Sequence, residues 1–319
     1  MTKRILAYGR LNEEQLAELS RDFEVEVFSK LSSADDPAFR SALGSAHGLI
    51  GSSVAITPEL LDEAPELEVI ASISVGYDNY PVEELTRRGI LLCNTPDVLT
   101  ETTADTGFAL IMATARRVVE LADFVRRGDW QASIGEAHFG SDVHGKTLGM
   151  VGLGRIGAAV ARRGALGFGM KVLYSNASPK PALEAELGAE HRELDALLAE
   201  ADFVCITVPL TPETVHLIGA REFAQMKPSA IFVNIARGKV VDEAALIAAL
   251  EKGEILAAGL DVFEQEPLPE SSPLWDRGDV LITPHVGGRS DRFPDRFAEL
   301  FLSNYDRWYR DEPLENRIV

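Results

Sequence analysis

The stretch TLGMVGLGRIGAAVARR, Thr147 to Arg163, sets the reading of the whole chain. An apolar run leads directly into Gly152, Gly154 and Gly157, and an alanine-rich helical pattern follows. Glycines at this spacing are weak evidence alone, because glycine-rich turns are common. Between a strand and a helix they acquire a mechanism. Gly152 permits a tight turn, Gly154 lets the backbone approach a pyrophosphate, and Gly157 lets the helix pack closely on the sheet. The helix N-terminus, with Arg155 and Ile156 in its first turn, offers N–H groups and partial positive charge to phosphates. A purely structural turn is the competing reading.

About twenty residues downstream, VLYSNASPK (Val172–Lys180) raises a question. In a dinucleotide-binding unit the second strand ends in Asp or Glu, which holds the adenosine ribose. Here Ser175 and Asn176 stand there instead. An acid would repel a 2′-phosphate, whereas Ser175, Asn176 and Ser178 can donate hydrogen bonds to phosphate oxygens. Lys180 and Arg155 add positive charge. No arginine follows Asn176, where Ala177 sits. NADPH is therefore expected as the preferred cofactor, with NADH as the alternative.

Outward from this motif, short apolar runs alternate with helical patterns along most of the chain. That alternation predicts α/β architecture with parallel sheets built from βαβ units. The early strand candidates are RILAY, FEVEVF, GLIGS, LEVIASI and GILLC. A later series comprises KTLGMVGLG, MKVLYS, DFVCITV, AIFVNIA, LAAGLDV and DVLITPH. One long helix is expected from about Thr100 to Arg126, and another from about Pro294 to Arg310, where Phe297, Leu300, Phe301 and Tyr305 fall on one face. Residues 128–145 show no period and contain four glycines, as a functional or partner-contacting loop would.

At 319 residues the chain exceeds one comfortable core, so two domains are expected. A formal net charge of -19 argues against a nucleic-acid partner, which needs a basic surface. No run of apolar residues is long enough to span a membrane. Cys93 and Cys205 lie in apolar runs and read as buried free thiols, so neither a disulfide framework nor a metal site is expected. The N-terminal stretch lacks the apolar centre of a signal peptide, and a cytoplasmic location is the expectation.

Three charged residues each follow an apolar strand: Arg237 in VNIARGKVVDE, Glu266 in GLDVFEQEP and His285 in LITPHVGG. Ligand crevices of open α/β sheets lie at the carboxyl ends of strands, where such groups converge. An arginine offers a planar fork to a carboxylate, a histidine can deliver a proton near neutral pH, and a carboxylate can hold that histidine. Singly, each has a bland reading: a surface ion pair, a solvated turn, a structural histidine. Together on a nucleotide-binding fold they describe reduction of a ketone.

Over nearly its whole length the sequence resembles the D-isomer-specific 2-hydroxyacid dehydrogenases, and within them the glyoxylate/hydroxypyruvate and 2-ketogluconate reductases. The resemblance rests on ISVGYDNY (73–80), NTPDVLTETTAD (94–105), HGKTLGMVGLGRIG (144–157), NIARGKVVDE (234–243), AAGLDVFEQEP (257–267) and TPHVGG (283–288). It implies two Rossmann-like, doubly wound parallel-sheet domains with the active site in the cleft between them. Residues 1–99 plus 289–319 would form the flavodoxin-like substrate domain, and residues 100–288 the dinucleotide-binding domain. Arg237 would bind the substrate carboxylate and keto oxygen, His285 would donate the proton, and Glu266 would hold its imidazole. Backbone N–H groups of Val75 and Gly76 would hold the carboxylate. Cofactor contacts would also fall to Thr103, Val208, Pro209, Ile235, Ala236, Arg237, Asp261, His285 and Gly287. Trp130 matches a residue that in some relatives reaches the neighbouring subunit, which implies a homodimer; packing on its own chain is the other reading.

After TPHVGG the chain departs from the nearest branch, which continues Ser-Ala-Thr where this one has Gly288, Arg289 and Ser290. Arg289 or Arg292 is a candidate contact to the far end of a larger or doubly anionic substrate; a solvated helix start is the alternative. The expected reaction is NADPH-dependent reduction of glyoxylate, hydroxypyruvate or 2-ketogluconate to the D-2-hydroxy acid. Rival readings are a phosphoglycerate, phosphite or formate dehydrogenase of the same family, or a nucleotide-sensing corepressor-like binding protein on the same fold. Formate dehydrogenases resembling this family carry Gln where Glu266 stands.

Overall fold

The computed structural model describes every residue except Met1, Gly9, Arg10, Ser29, Lys30, Ser32, Ser53 and Arg292, and describes residues 293–298 by their backbone alone. The chain divides into two compact units, Met1–Leu99 with Ser290–Val319, and Thr100–Arg289.

In the first unit the elements run β1 (Arg4–Ala7), α1 (Glu13–Leu19), β2 (Glu24–Val27), α2 (Pro37–Leu43), β3 (Gly48–Gly51), α3 (Pro58–Asp62), β4 (Val69–Ser72), α4 (Val82–Arg88) and β5 (Leu91–Cys93). The strands pair in parallel in the order β2-β1-β3-β4-β5, the flavodoxin-like winding. Helix starts follow from local chemistry. Asn12 and Gln15 form a capping box for α1, Asp36 caps α2 just before Pro37, and Thr57 caps α3 just before Pro58. β3 and β4 are buried along their whole length, which is why they read as unbroken apolar runs.

The second unit begins with α5 (Thr100–Ala115) and α6 (Val118–Arg126) and continues with β6 (Thr147–Val151), α7 (Arg155–Arg162), β7 (Lys171–Ser175), α8 (Pro181–Leu187), β8 (Glu190–His191), α9 (Leu194–Glu200) and β9 (Phe203–Ile206). Then come α10 (Ala220–Phe223), β10 (Ile231–Asn234), α11 (Glu243–Lys252), β11 (Ala257–Leu260) and β12 (Val280–Ile282); α12 (Phe293–Tyr309) returns to the first unit. The seven strands are parallel in the order β12-β11-β10-β9-β6-β7-β8. The winding reverses between β6 and β9, so the ligand crevice of this sheet belongs at their carboxyl ends. The glycine motif sits there, immediately after β6.

Two expectations are corrected. The single helix from Thr100 to Arg126 is two helices, broken where Arg117 adopts the left-handed conformation with φ of 53°. The carbonyl of Ala115 is taken by the N–H of Ser141 at 2.8 Å, and a Cβ on Gly140 would lie 2.5 Å from that carbonyl oxygen. The chain returning from residues 128–141 therefore seals the end of α5 and prevents its continuation. Arg289, expected with the first unit, belongs to the second. In addition, the two-residue edge strand β8 had no signature: Glu190–His191 is too short and too polar to show a period.

Candidate active site

The glycine loop is locked by contacts that only glycines allow. Gly152 has φ of 97°, and a Cβ on it would lie 2.9 Å from the backbone nitrogen of Val208. A Cβ on Gly157 would lie 2.3 Å from the carbonyl oxygen of Gly152, which itself accepts the Thr207 hydroxyl at 2.6 Å. Gly154 differs: among the described residues a Cβ there would meet nothing within 4 Å, and no side chain caps α7 behind it. A loop pressed tight at two glycines and open at the third, in front of an uncapped helix, fits a dinucleotide pyrophosphate. On the adjoining strand, the Ser175 carbonyl accepts the Gly152 N–H at 2.9 Å and the Asn176 side-chain oxygen accepts the Leu153 N–H at 2.9 Å. The Asn176 amide nitrogen donates one of its two N–H groups to the carbonyl of Ser178 at 3.3 Å.

Arg237, Glu266 and His285 follow β10, β11 and β12, three adjacent strands of one sheet. His285 Nδ1 lies 2.6 Å from Glu266 Oε2. The other Glu266 oxygen accepts the Phe263 N–H at 3.0 Å. Burial alone would raise the Glu266 carboxyl; the His285 and Phe263 hydrogen bonds and the charges of His285 and Arg237 outweigh it and hold the group below the usual carboxylate range. Glu266 is therefore anionic at neutral pH.

The loops carrying these groups are braced by buried polar residues. Asn234, at the end of β10, accepts the Ala236 N–H and donates to the Arg237 carbonyl, both at 3.0 Å, which closes the turn bearing Arg237. A Cβ on Gly238 would lie 1.8 Å from the carbonyl carbon of Phe263, so the Arg237 and Glu266 loops press backbone on backbone. Asp261 is 1% exposed, and its carboxylate accepts Thr283 Oγ1 at 2.6 Å and the N–H groups of Val286 at 2.9 Å and Gly287 at 2.7 Å. Its carbonyl accepts the His285 N–H at 2.9 Å. These four bonds hold His285 at a φ of 50°, a conformation that costs a non-glycine residue energy and needs such support. Thr103 packs within 3.4 Å of the Cβ position of Gly287, and its buried hydroxyl has no partner among the described residues.

In the first unit, Val75 and Gly76 follow β4. Among the described residues their N–H groups have no acceptor, while the Val75 carbonyl is tied down by the amide of buried Asn94 at 2.8 Å. Thr95 adds a backbone bond to the Ser74 carbonyl at 3.0 Å. Fixing the carbonyl leaves two consecutive N–H groups available as an anion site.

A sequence profile described as "D-isomer specific 2-hydroxyacid dehydrogenase, NAD binding domain" matches residues 108–287, within the second unit. Glyoxylate/hydroxypyruvate reductase B of Yersinia pestis (strain Pestoides F) is 53% identical over 304 residues, covering 95% of this chain and 93% of the relative. The chain belongs to the D-isomer specific 2-hydroxyacid dehydrogenase family. It is therefore an oxidoreductase, and its second unit carries the NAD-binding domain of the family. Among solved structures, a protein from Thermus thermophilus superposes with a TM-score of 0.91 at 42% identity, over 99% of this chain and 100% of that one. The NADPH-dependent glyoxylate/hydroxypyruvate reductase from Sinorhizobium meliloti, solved with NADP and malonate, gives 0.88 at 32% identity, over 100% of this chain and 97% of that one.

The remaining candidates of this dehydrogenase are placed as follows. Val208 packs on Gly152, and the Pro209 carbonyl accepts the Thr214 hydroxyl at 2.7 Å in the turn after β9. Ile235 is buried against Gly107, and the Ala236 N–H is spent on Asn234. Asp261, expected to line the cofactor, has both carboxylate oxygens engaged by the 283–287 loop. Arg289 is exposed at the turn after His285, and Arg292 lies outside the described residues. Trp130 is exposed at 62%, so it does not pack into its own chain. Sequence reasoning missed Asn94, Asn234, Thr207 and Thr283. The only available signal was a polar residue closing an otherwise apolar run, as in AIFVNIA.

Proposed function

We propose that this enzyme reduces a small 2-oxo acid, with glyoxylate and hydroxypyruvate first and 2-ketogluconate next, to the D-2-hydroxy acid, using NADPH in preference to NADH. The observation that carries the reading is the His285–Glu266 pair at 2.6 Å on strand ends beside Arg237. Bound nicotinamide would supply the hydride to the 2-carbon. Arg237 would orient the carboxylate and polarise the keto oxygen. Because Nδ1 of His285 faces Glu266, Nε2 is the atom left to deliver a proton to the keto oxygen. The Glu266 carboxylate would stabilise the charged imidazole that makes the delivery. The names of the relatives and the missing acid at Asn176 support the substrate and cofactor choice. Initial rates on a panel of 2-oxo acids with each cofactor test it: no turnover of hydroxypyruvate, or kcat/KM for NADH equal to that for NADPH, would overturn it.

The same reading includes a homodimer. α6 buries none of its residues, and Val118, Val119, Trp130, Ile134 and Phe139 leave a run of large apolar side chains exposed from α6 into the following segment. Light scattering that returns the mass of one chain at micromolar concentration would rule this out. A cytoplasmic location completes the reading, and two buried free thiols fit a reducing compartment.

A further inference from the structure

We propose that Tyr174 is a positioning residue for cofactor choice, holding the 176–180 turn so that Asn176 presents an N–H donor at the strand end that serves the adenosine ribose. This rests on the NADPH reading above and adds the residue that enforces it.

Tyr174 is the penultimate residue of β7 and is wholly buried. Its hydroxyl accepts the Lys180 N–H at 2.7 Å and donates to the Glu184 carboxylate in α8. Its ring meets His191 of β8 edge-on at 5.1 Å, and His191 Nε2 lies 3.2 Å from the Asn176 carbonyl. The turn is thus fastened at both ends, at Asn176 by His191 and at Lys180 by Tyr174. Neither fastening residue carries a signature in the sequence.

With its backbone held, Asn176 reaches the glycine loop. The Leu153 N–H can only donate, so the amide oxygen must face it, and the amide nitrogen must take the other side. The Ser178 carbonyl, an acceptor, agrees with that orientation. An aspartate would satisfy Leu153 equally well but would put a second carboxylate oxygen where the amide nitrogen stands. That oxygen would accept from ribose hydroxyls and repel a phosphate. The loop geometry thus converts a one-atom difference at position 176 into a choice between the two cofactors. Loosening the turn blurs that choice without touching the hydride-transfer residues.

The test is equilibrium binding by fluorescence titration of NADPH and NADH to the full-length enzyme without substrate. Tyr174→Phe removes only the hydroxyl. It should lower the ratio of NADH to NADPH dissociation constants by about fivefold, the effect of one hydrogen bond, chiefly by weakening NADPH. Glu184→Ala should act in the same direction and Glu184→Gln should restore the ratio, which guards against a misfolded Tyr174 variant. Asn176→Asp should reverse the ratio. An unchanged ratio in both Tyr174→Phe and Glu184→Ala overturns the role of Tyr174. A wild-type ratio of one or below overturns the NADPH reading separately.

Discussion

His285 is held at its ring by Glu266 and at its loop by Asp261, and each of these three side chains can be removed singly. His285→Ala should lower kcat by roughly 10²–10⁴-fold, the range for a positioned proton donor. Glu266→Gln keeps the shape and removes the charge. Its kcat should fall by roughly tenfold or more, because the imidazole loses the carboxylate that orients it. An unchanged kcat would detach Glu266 from the proton transfer. Asp261 acts one step further back, because its oxygens hold the loop and not the ring. How much of this was legible differs by residue. Arg237, Glu266 and His285 stand out as charges after apolar runs. Asn94 and Asn234 look like ordinary loop residues until the folded chain shows which backbone groups they close, and Asp261, expected to line the cofactor, spends its oxygens on the 283–287 loop.

Among the elements, α4 carries a charge device whose pH dependence has a definite sign. Glu84 accepts from Arg87 Nε at 2.8 Å and from Arg88 Nε at 2.5 Å, and these bonds and charges lower its carboxyl to about 2. A folded-state pKa below the unfolded one contributes stability that is present above about 4.5 and is lost as pH falls toward about 2. The group is solvent-screened, so the contribution is small. The difference in Tm between wild type and Glu84→Gln should be greatest near pH 6 and shrink toward zero near pH 2. A difference that grows on acidification would contradict the pairing. The alternation of strands and helices was legible from apolar runs and periodicity. The break at Arg117 was not, because it depends on residues 140–141 sealing Ala115 from about twenty-five positions away.

For the molecule as a whole, both cysteines are buried, Cys93 at the end of the edge strand β5 in one unit and Cys205 in the central strand β9 of the other. Burial raises Cys93 to about 11 and Cys205 to about 12. At pH 8 neither offers an accessible thiolate, so a thiol reagent should label no cysteine in the native enzyme and both after denaturation. Rapid labelling of one equivalent in the native state would show that a sheet opens locally. No helix among the described residues is long and apolar enough to cross a membrane.

By itself the sequence determined the parallel α/β architecture, the nucleotide-binding turn and the family, because strand burial, glycine spacing and charges after strands are all local patterns. Tertiary structure alone decided how those patterns become a site. It turned Asn176 donor-side out against Leu153, fastened the turn through Tyr174 and His191, and held His285 in a left-handed conformation through Asp261. The physical reason is that a hydrogen bond between distant residues depends on which backbone groups the fold leaves unpaired, and no local window contains that information.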